Sequence, residues 1–282
     1  MDTIAVLGMG LLGRGFAENL LNLGHPVRVW NRTPERCEPL VKLGAVAPST
    51  PAEAVAGATR VHLVLAADAA VDAVIEALRP SLAEGVCIVD HSTNLPAGVA
   101  ERAPRLRRDG IRYMHAPVFM GPANSRGATG LMLLCGPAED EAALRPALQT
   151  MTGRVLYLGT DVDKAAKIKI TGNGMLVMMI AAMGDLFRMG ESAGLTTDDV
   201  LALFDEFSPT PAQMGRRGLA ASDQPVGFSL EMARKDVRLM LETAGDSAGL
   251  TVLPAVATAM DRAIAAGRGD EDFSSLADPR RG

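Results

Sequence analysis

Cysteine is scarce in this chain. Cys37, Cys87 and Cys135 are odd in number and far apart, which argues against a disulfide framework and a zinc cluster, so no metal site is expected. Cys87 and Cys135 stand in apolar, strand-like runs, where buried and inert thiols are the expected state. Long apolar runs are also missing: no segment reaches the roughly 18–20 uninterrupted apolar residues of a membrane helix. The N-terminus, MDTIAVLGMG, begins with an acid and lacks the basic and apolar regions of a signal peptide. A cytoplasmic protein with no membrane attachment is expected. There is no block of like charges, and the formal net charge is −5 with a pI near 5.5, which argues against a general nucleic-acid binder. Aromatic residues make up only 4% of the chain, whereas there are 15 methionines. Met175, Met178, Met179, Met183 and Met189 recur largely at helical spacing, which predicts a core-packing face rather than a metal or cofactor role.

What is present is ample apolar content, 48% of 282 residues, enough for one large core or two ordinary ones. The first half alternates β-rich runs at 4–7, 27–30, 61–65, 86–89, 112–114 and 131–134 with amphipathic segments at 11–23, 34–43, 69–78, 95–108 and 138–150. Strand and helix alternating at this spacing predict an α/β fold with a mainly parallel, doubly wound sheet. Near-continuous apolar strands such as IAVL and VHLVL fit burial on both faces of that sheet. After Asp161 the strand signals stop. The spacing predicts one long linking helix over 164–193, although Gly172, Gly174, Gly184 and Gly190 lie within it. Glycine destabilises a helix interior, so close approach of a ligand or another helix is expected there. Helices at 197–207, 211–220, 230–246 and 253–266 follow, and the polar tail after Gly267 is expected to be ordered only in part. The organisation predicted is a domain of residues 1–161 followed by an all-α domain of residues 162–282.

The most informative local motif is Gly8-Met9-Gly10-Leu11-Leu12-Gly13, placed after a strand and opening a helix. In that setting the three glycines serve a tight turn, close backbone approach to a pyrophosphate, and helix–strand packing. The free N–H groups of the helix terminus then face the phosphates. The second strand ends at Trp30 and is followed by Asn31, Arg32 and Thr33. An enzyme using NAD usually has an acid here for the ribose hydroxyls, whereas Arg32 and Thr33 suit a 2′-phosphate. NADP is expected as cofactor in preference to NAD.

With these residues in view, the chain resembles the beta-hydroxyacid dehydrogenase family, which includes 3-hydroxyisobutyrate dehydrogenase and the glyoxylate/succinic semialdehyde reductases. The resemblance runs through LGMGLLGRGFAENLLNLGH, WNRTPER, VDHSTN, HAPVFMGPANSRGATG, AAKIKITGN, FSLEMARKDVRLML and GDEDFSSL, in that order. It implies a Rossmann domain, a long linking helix and a helical domain that forms a homodimer or homotetramer. The implied reaction is reversible hydride transfer between a nicotinamide and a small hydroxy acid or semialdehyde. By the same resemblance Lys169 is the general acid/base, and Asn173, one helical turn later, shares its face. Thr93 touches cofactor and substrate, Leu65 and Ala66 line the cofactor's path, and Lys235 closes over the cofactor. Asp236 stands beside the substrate and Phe228 forms pocket wall.

One segment departs from the family. The usual Asp-Ala-Pro-Val-Ser-Gly-Gly reads here His115-Ala116-Pro117-Val118-Phe119-Met120-Gly121. In the family this loop gives a hydroxyl and backbone N–H groups to the substrate carboxylate. Phe119 removes the hydroxyl, and Phe119 and Met120 make the wall bulkier and more apolar. A buried carboxylate needs donors, so a larger or less polar carbonyl compound or hydroxy acid is expected as substrate in place of 3-hydroxyisobutyrate. The altered loop also resembles that of imine reductases, which usually lack a lysine at position 169. A non-catalytic NADP-binding protein is the further alternative, and Lys169, Asn173, Lys235 and Asp236 together argue against it.

Overall fold

A computed structural model describes residues 2–245 and 249–281 of the chain. Two compact units emerge, Met1–Lys169 and Ile170–Gly282. The break lies inside the long helix, eight residues beyond the 161/162 boundary read from the sequence, because the first turn of that helix packs against the sheet unit.

In the first unit, β1 (Ile4–Leu7), β2 (Val27–Trp30), β3 (Arg60–Leu63), β4 (Cys87–Asp90) and β5 (Arg112–His115) form one parallel sheet in the order β2-β1-β3-β4-β5. The helices between them are α1 (Leu11–Asn22), α2 (Glu38–Val41), α3 (Pro51–Val55), α4 (Asp68–Leu78) and α5 (Pro96–Arg108). Side chains of one sheet face, Ile4, Val6, Val27, Val29 and Val89, pack against Phe16 and Leu20 of α1. Those of the other face, Ala5, Leu7, Val61, Leu63 and Ile88, pack against α4 and α5. Each fully buried Leu, Ile or Val stabilises the fold by about 1.5–3 kcal/mol. α4 and α5 are further tied by Arg102, a buried guanidinium bound to Asp68 and Asp72 at 3.0 and 2.8 Å.

Beyond β5 a second, smaller sheet is built from β6 (Val118–Phe119), β7 (Leu131–Leu134) and β8 (Arg154–Tyr157), with α6 (Pro122–Arg126) and α7 (Ala138–Gln149) between them. β6 runs antiparallel to β7, and β8 parallel to it. α2 is shorter than the predicted 34–43 helix, because Pro34–Cys37 forms a tight 3-10 turn ahead of it.

The second unit is helical: the greater part of α8 (Lys164–Ser192), α9 (Thr197–Phe207), α10 (Pro209–Leu219), α11 (Leu230–Ala244) and α12 (Val252–Ala263). The predicted end of the fourth of these at residue 246 lies outside the described residues. Thr196 starts α9 with a reciprocal cap to Asp199, which satisfies two orphan donors. The glycines of α8 have local reasons. A Cβ on Gly184 would lie 2.7 Å from the Leu276 carbonyl oxygen, and one on Gly190 would lie 2.9 Å from a Val200 methyl. By length and composition α8 is apolar enough to cross a membrane, although glycines and polar residues interrupt its apolar runs, as expected from the sequence, and nearly half of its most apolar window is buried. Val177, Ile180, Met183 and Phe187 are core residues of this unit.

Two expectations need correction here. Of the methionine series only Met183 is fully buried, while Met175 and Met189 are exposed, because the helix turns those positions away from the core. The polar tail is ordered: Phe273–Ala277 is a 3-10 turn with every residue buried. Its anchor is Asp272, which accepts hydrogen bonds from the N–H groups of Gly227, Phe228 and Ser274 and from the Ser274 hydroxyl.

Candidate functional site

The glycine turn between β1 and α1 is built as its spacing predicted. Gly8 has φ +106°, and a Cβ there would lie 2.2 Å from the Val64 carbonyl oxygen, so only glycine fits. A Cβ on Gly13 would lie 1.9 Å from the Gly8 carbonyl oxygen, which makes Gly13 the point of closest helix–turn contact. Gly10 differs, since a Cβ there would meet nothing within 4 Å. No packing demands glycine at that position, and open space lies where the fingerprint would put a pyrophosphate. Gly10 is also the N-cap of α1 and contributes no side-chain cap, so the positive end of the helix dipole is not neutralised by the turn itself. These features fit a dinucleotide.

The remaining candidates of this unit divide by orientation. Leu11 is exposed and Leu12 half-buried, but Met9 sends its side chain fully into the core and offers only backbone to a ligand. Its N–H donates to Asn31 Oδ1 at 3.0 Å, and Asn31 Nδ2 donates to the Thr33 carbonyl at 2.9 Å. Asn31 therefore braces the glycine turn against the end of β2, while Arg32 and Thr33 stay exposed beside it. Leu65 is half-buried and Ala66 exposed after β3, and the Leu65 N–H donates to Ser92 Oγ at 2.9 Å. This links the β3 loop directly to the β4 loop that carries Thr93.

The β4 loop rests on Asp90, which is fully buried. Its Oδ1 accepts the Ser92 N–H at 2.9 Å, and its Oδ2 accepts Asn94 Nδ2 at 2.6 Å and the Tyr113 hydroxyl at 2.7 Å. Burial, with the Asp90 charge second, pushes the Tyr113 phenol well above its ordinary range, so it stays a donor. His115 Nε2 lies 3.1 Å from the Ser92 carbonyl and donates to it; burial holds this imidazole below its ordinary pKa, so it is neutral and hydrogen-bonded. Asp90, Ser92, Asn94 and Tyr113 are not among the residues that the sequence singles out, since the Asp90–Tyr113 bond forms only once β4 and β5 pair. The Asp–Asn pair four residues apart was the available signal.

A second buried network lies under the same sheet ends. Arg60 Nε donates to His62 Nε2 at 2.8 Å, His62 Nδ1 is 2.8 Å from His91 Nε2, and His91 Nδ1 is 2.7 Å from the Ala116 carbonyl. Arginine can only donate, so the chain has one consistent direction: both imidazoles are neutral with the proton on Nδ1. The His91 ring also packs on Phe16, 5.0 Å between centroids.

Lys169 is 8% exposed and sets its ammonium 4.1 Å from the centroid of the Phe119 ring. Asn173, one turn further along α8, is 5% exposed and donates from Nδ2 to Asp236 Oδ2 at 2.6 Å. Lys235 Nζ reaches Asp236 Oδ1 at 2.5 Å. The second unit thus joins Asn173, Asp236 and Lys235 around one carboxylate that is 1% exposed. Phe228 is half-buried and packs edge-on against Phe273, 5.4 Å between centroids, so part of its surface belongs to core. In the loop that departs from the family, Met120 packs against the first unit's core. The Gly121 N–H donates to Asn124 Oδ1 at 2.9 Å. Among the described residues no cluster of three or more His, Cys, Asp or Glu side chains is placed to hold a metal.

Comparison with known proteins gives the family. Residues 3–159 match the model of the NAD binding domain of 6-phosphogluconate dehydrogenase, and residues 164–279 that of the NAD-binding domain of NADP-dependent 3-hydroxyisobutyrate dehydrogenase. The chain is 31% identical to the uncharacterized oxidoreductase YfjR of Bacillus subtilis, over 97% of this chain and 98% of the relative. The chain belongs to the beta-hydroxyacid dehydrogenase family. It is also 28% identical to glyoxylate/succinic semialdehyde reductase 1 of Arabidopsis thaliana, over 97% of this chain and 96% of that one. The fold matches 3-hydroxyisobutyrate dehydrogenase of Mycobacterium tuberculosis with a TM-score of 0.87, 23% identity and 98% coverage of both chains. As a member of this family the protein is an NAD(P)-dependent oxidoreductase of hydroxyacid dehydrogenase type.

Proposed function

We propose that the protein transfers a hydride between NADP(H) and a small hydroxy acid, semialdehyde or related carbonyl compound, with Lys169 as general acid/base. The observation that carries this reading is the burial of the Lys169 ammonium one helical turn before an asparagine that is itself tied to a buried carboxylate. A lysine without a task is normally solvated. In this reading residues 1–161 hold the dinucleotide. Gly10 would give room to the pyrophosphate, with Gly8 and Gly13 shaping the turn; the N–H groups of Leu11 and Leu12 would face it, and Arg32 and Thr33 would take the 2′-phosphate. Leu65, Ala66 and Thr93 flank the nicotinamide. Residues 162–282 supply Asn173, Lys235, Asp236 and Phe228 and the surface of a homodimer or homotetramer, in the cytoplasm.

When bound, the cofactor supplies or accepts the hydride at the substrate carbon. Lys169 Nζ gives a proton to the carbonyl oxygen in reduction and takes it back from the hydroxyl in oxidation. Asn173, fixed by Asp236, orients the substrate on the same helix face. The test is NADPH absorbance in both directions with short semialdehydes, hydroxy acids and a cyclic imine, and with NAD(H) as control. The expected result is carbonyl turnover with NADPH preferred, lost by at least 100-fold in Lys169→Ala while NADP binding persists, in keeping with the usual worth of a positioned acid/base. Unchanged turnover in Lys169→Ala removes the lysine from the reaction, and turnover of the imine alone replaces carbonyl with imine chemistry.

A further inference from the structure

We infer that Phe119 seats the Lys169 ammonium and closes the substrate loop to a carboxylate, so that the preferred substrate carries an uncharged group on the side that faces this loop. The inference deepens the reading above and rests on its placement of Lys169 at the reacting oxygen.

Phe119 is fixed from several sides. It pairs with Leu131 in the β6–β7 hairpin. The turn into β7 is closed by Gly130 at φ +86°, where a Cβ would lie 2.9 Å from both the Phe119 carbonyl oxygen and Met120 Cγ. The ring packs on an apolar cluster of Leu133, Cys135 and Ala165. Ala165 precedes Lys169 by one turn of α8, so the helix face that covers this cluster also delivers the lysine to the ring. An ammonium 4.1 Å from a ring centroid is within the range of cation–π attraction. A buried ammonium needs such compensation.

The same geometry works against an anion. The ring stands where the family has a hydroxyl and offers no hydrogen-bond donor to a carboxylate. The Gly121 N–H, a donor the family offers to carboxylate, is held by Asn124 Oδ1, and Asn124 Nδ2 is held in turn by Thr129 Oγ1 at 2.9 Å. Met120 is half-buried against the first unit's core. The loop thus offers an incoming carboxylate an aromatic face and a backbone donor already engaged.

The chain has only five lysines, so 13C-lysine labelling gives a separable signal for Lys169, assigned with Lys169→Arg. Its ε-methylene protons are expected to be shifted upfield by the ring in the wild type, and the shift is expected to vanish in Phe119→Leu. With NADPH, butanal is expected to be preferred over succinic semialdehyde. Phe119→Ser is expected to lower the ratio of KM for succinic semialdehyde to KM for butanal about tenfold, the usual worth of one regained donor to a charged group, and to lower kcat for both as the ring contact is lost. Phe119→Leu is expected to keep the preference for butanal and to lower kcat for both, by roughly 2- to 10-fold from the usual worth of a cation–π contact. In the NADPH-loaded protein, which cannot oxidise an alcohol, calorimetry should show 4-hydroxybutyrate binding about tenfold tighter to Phe119→Ser. An unshifted Lys169 signal in the wild type overturns the seat. Equal 4-hydroxybutyrate affinity in wild type and Phe119→Ser overturns the exclusion. If the wild type oxidises no NADPH with either aldehyde, the oxidoreductase reading fails instead, and the NMR and calorimetry still decide the role of Phe119.

Discussion

Acid is expected to destabilise the first unit well before its carboxylates titrate, through the imidazoles of His62 and His91. Their hydrogen bonds run in one direction from Arg60 to the Ala116 carbonyl. A second proton on His62 would point a donor at the Arg60 guanidinium, and a second proton on His91 would point one at His62 Nδ1–H. Burial is the main cause that pushes His91 down to about 4, and burial with the Arg60 charge takes His62 well below its ordinary range. Above about pH 7 these groups are neutral in both folded and unfolded chains and contribute nothing to the pH dependence. As the pH falls below about 6.5 the unfolded chain takes up protons that the folded chain refuses, so stability declines toward the folded pKa. For His91 alone, a folded value of about 4 against an ordinary 6.5 gives a loss of about 2 kcal/mol between pH 7.5 and 5.0, by linkage. His62 adds to it with the same sign. The assay is urea denaturation of wild type and His91→Gln at both pH values. The wild type should lose at least 2 kcal/mol, on the same linkage, and His91→Gln, less stable at pH 7.5, should lose measurably less on acidification. A flat wild-type profile, or an equal acid loss in the variant, refutes the assignment of neutral, direction-locked imidazoles.

Two further outcomes follow from the packing of the site. Gly10→Ala should keep the melting temperature and weaken NADP binding by an order of magnitude, whereas Gly13→Ala, whose Cβ meets the Gly8 carbonyl oxygen at 1.9 Å, should lose about 1–3 kcal/mol of stability as well; calorimetry with NADP and thermal melts separate the two. Asp236→Ala should cost about 1–3 kcal/mol, because the buried Asn173 amide and the Lys235 ammonium lose their shared acceptor, and kcat should fall at least tenfold; a variant with wild-type kcat would make the Asn173–Asp236 bond purely structural.

The parts of the fold legible in the sequence were those set by one-dimensional pattern. The strand IAVL is apolar along its length, and β4 is apolar up to Asp90 at its end, because helices cover both faces of the sheet. β8 was invisible because RVLY opens on an exposed arginine and ends half-buried, and β6 has too few residues to show a period. The tail Phe273–Ala277 reads as polar, yet Ser274 and Ser275 are buried, with Asp272 taking both the Ser274 N–H and its hydroxyl. That cap is local, but the Gly227 and Phe228 N–H groups that complete it come from a distant stretch of the chain and leave no local trace. In the site, the glycine turn was legible because three residues of one strand–turn–helix carry it. The Arg60–His62–His91 chain was not, since it joins positions 29 residues apart whose side chains meet only once β3 and β4 pair in register.

Two buried carboxylates, one in each unit, bear on how the neighbouring residues proposed for ligand binding are held. Asp90 and Asp236 are each essentially inaccessible to water, and a carboxylate removed from water is costly unless its acceptor positions are filled. Asp90 meets that demand with the Ser92 N–H and Asn94, which bracket Thr93, and with Tyr113 of β5. Asp236 meets it with Asn173 and Lys235. Movement of Thr93 by more than a fraction of an ångström would draw Ser92 or Asn94 away from Asp90, and displacement of Asn173 would leave Asp236 with fewer donors. Either motion exposes a buried charge without a replacement partner, at about 1–3 kcal/mol or more. The side chains proposed to meet substrate and cofactor are therefore held by the burial of charges that are given no part in the proposed reaction. Their order is set during folding, before any ligand binds, which lowers the part of the binding energy that would otherwise go into arranging them.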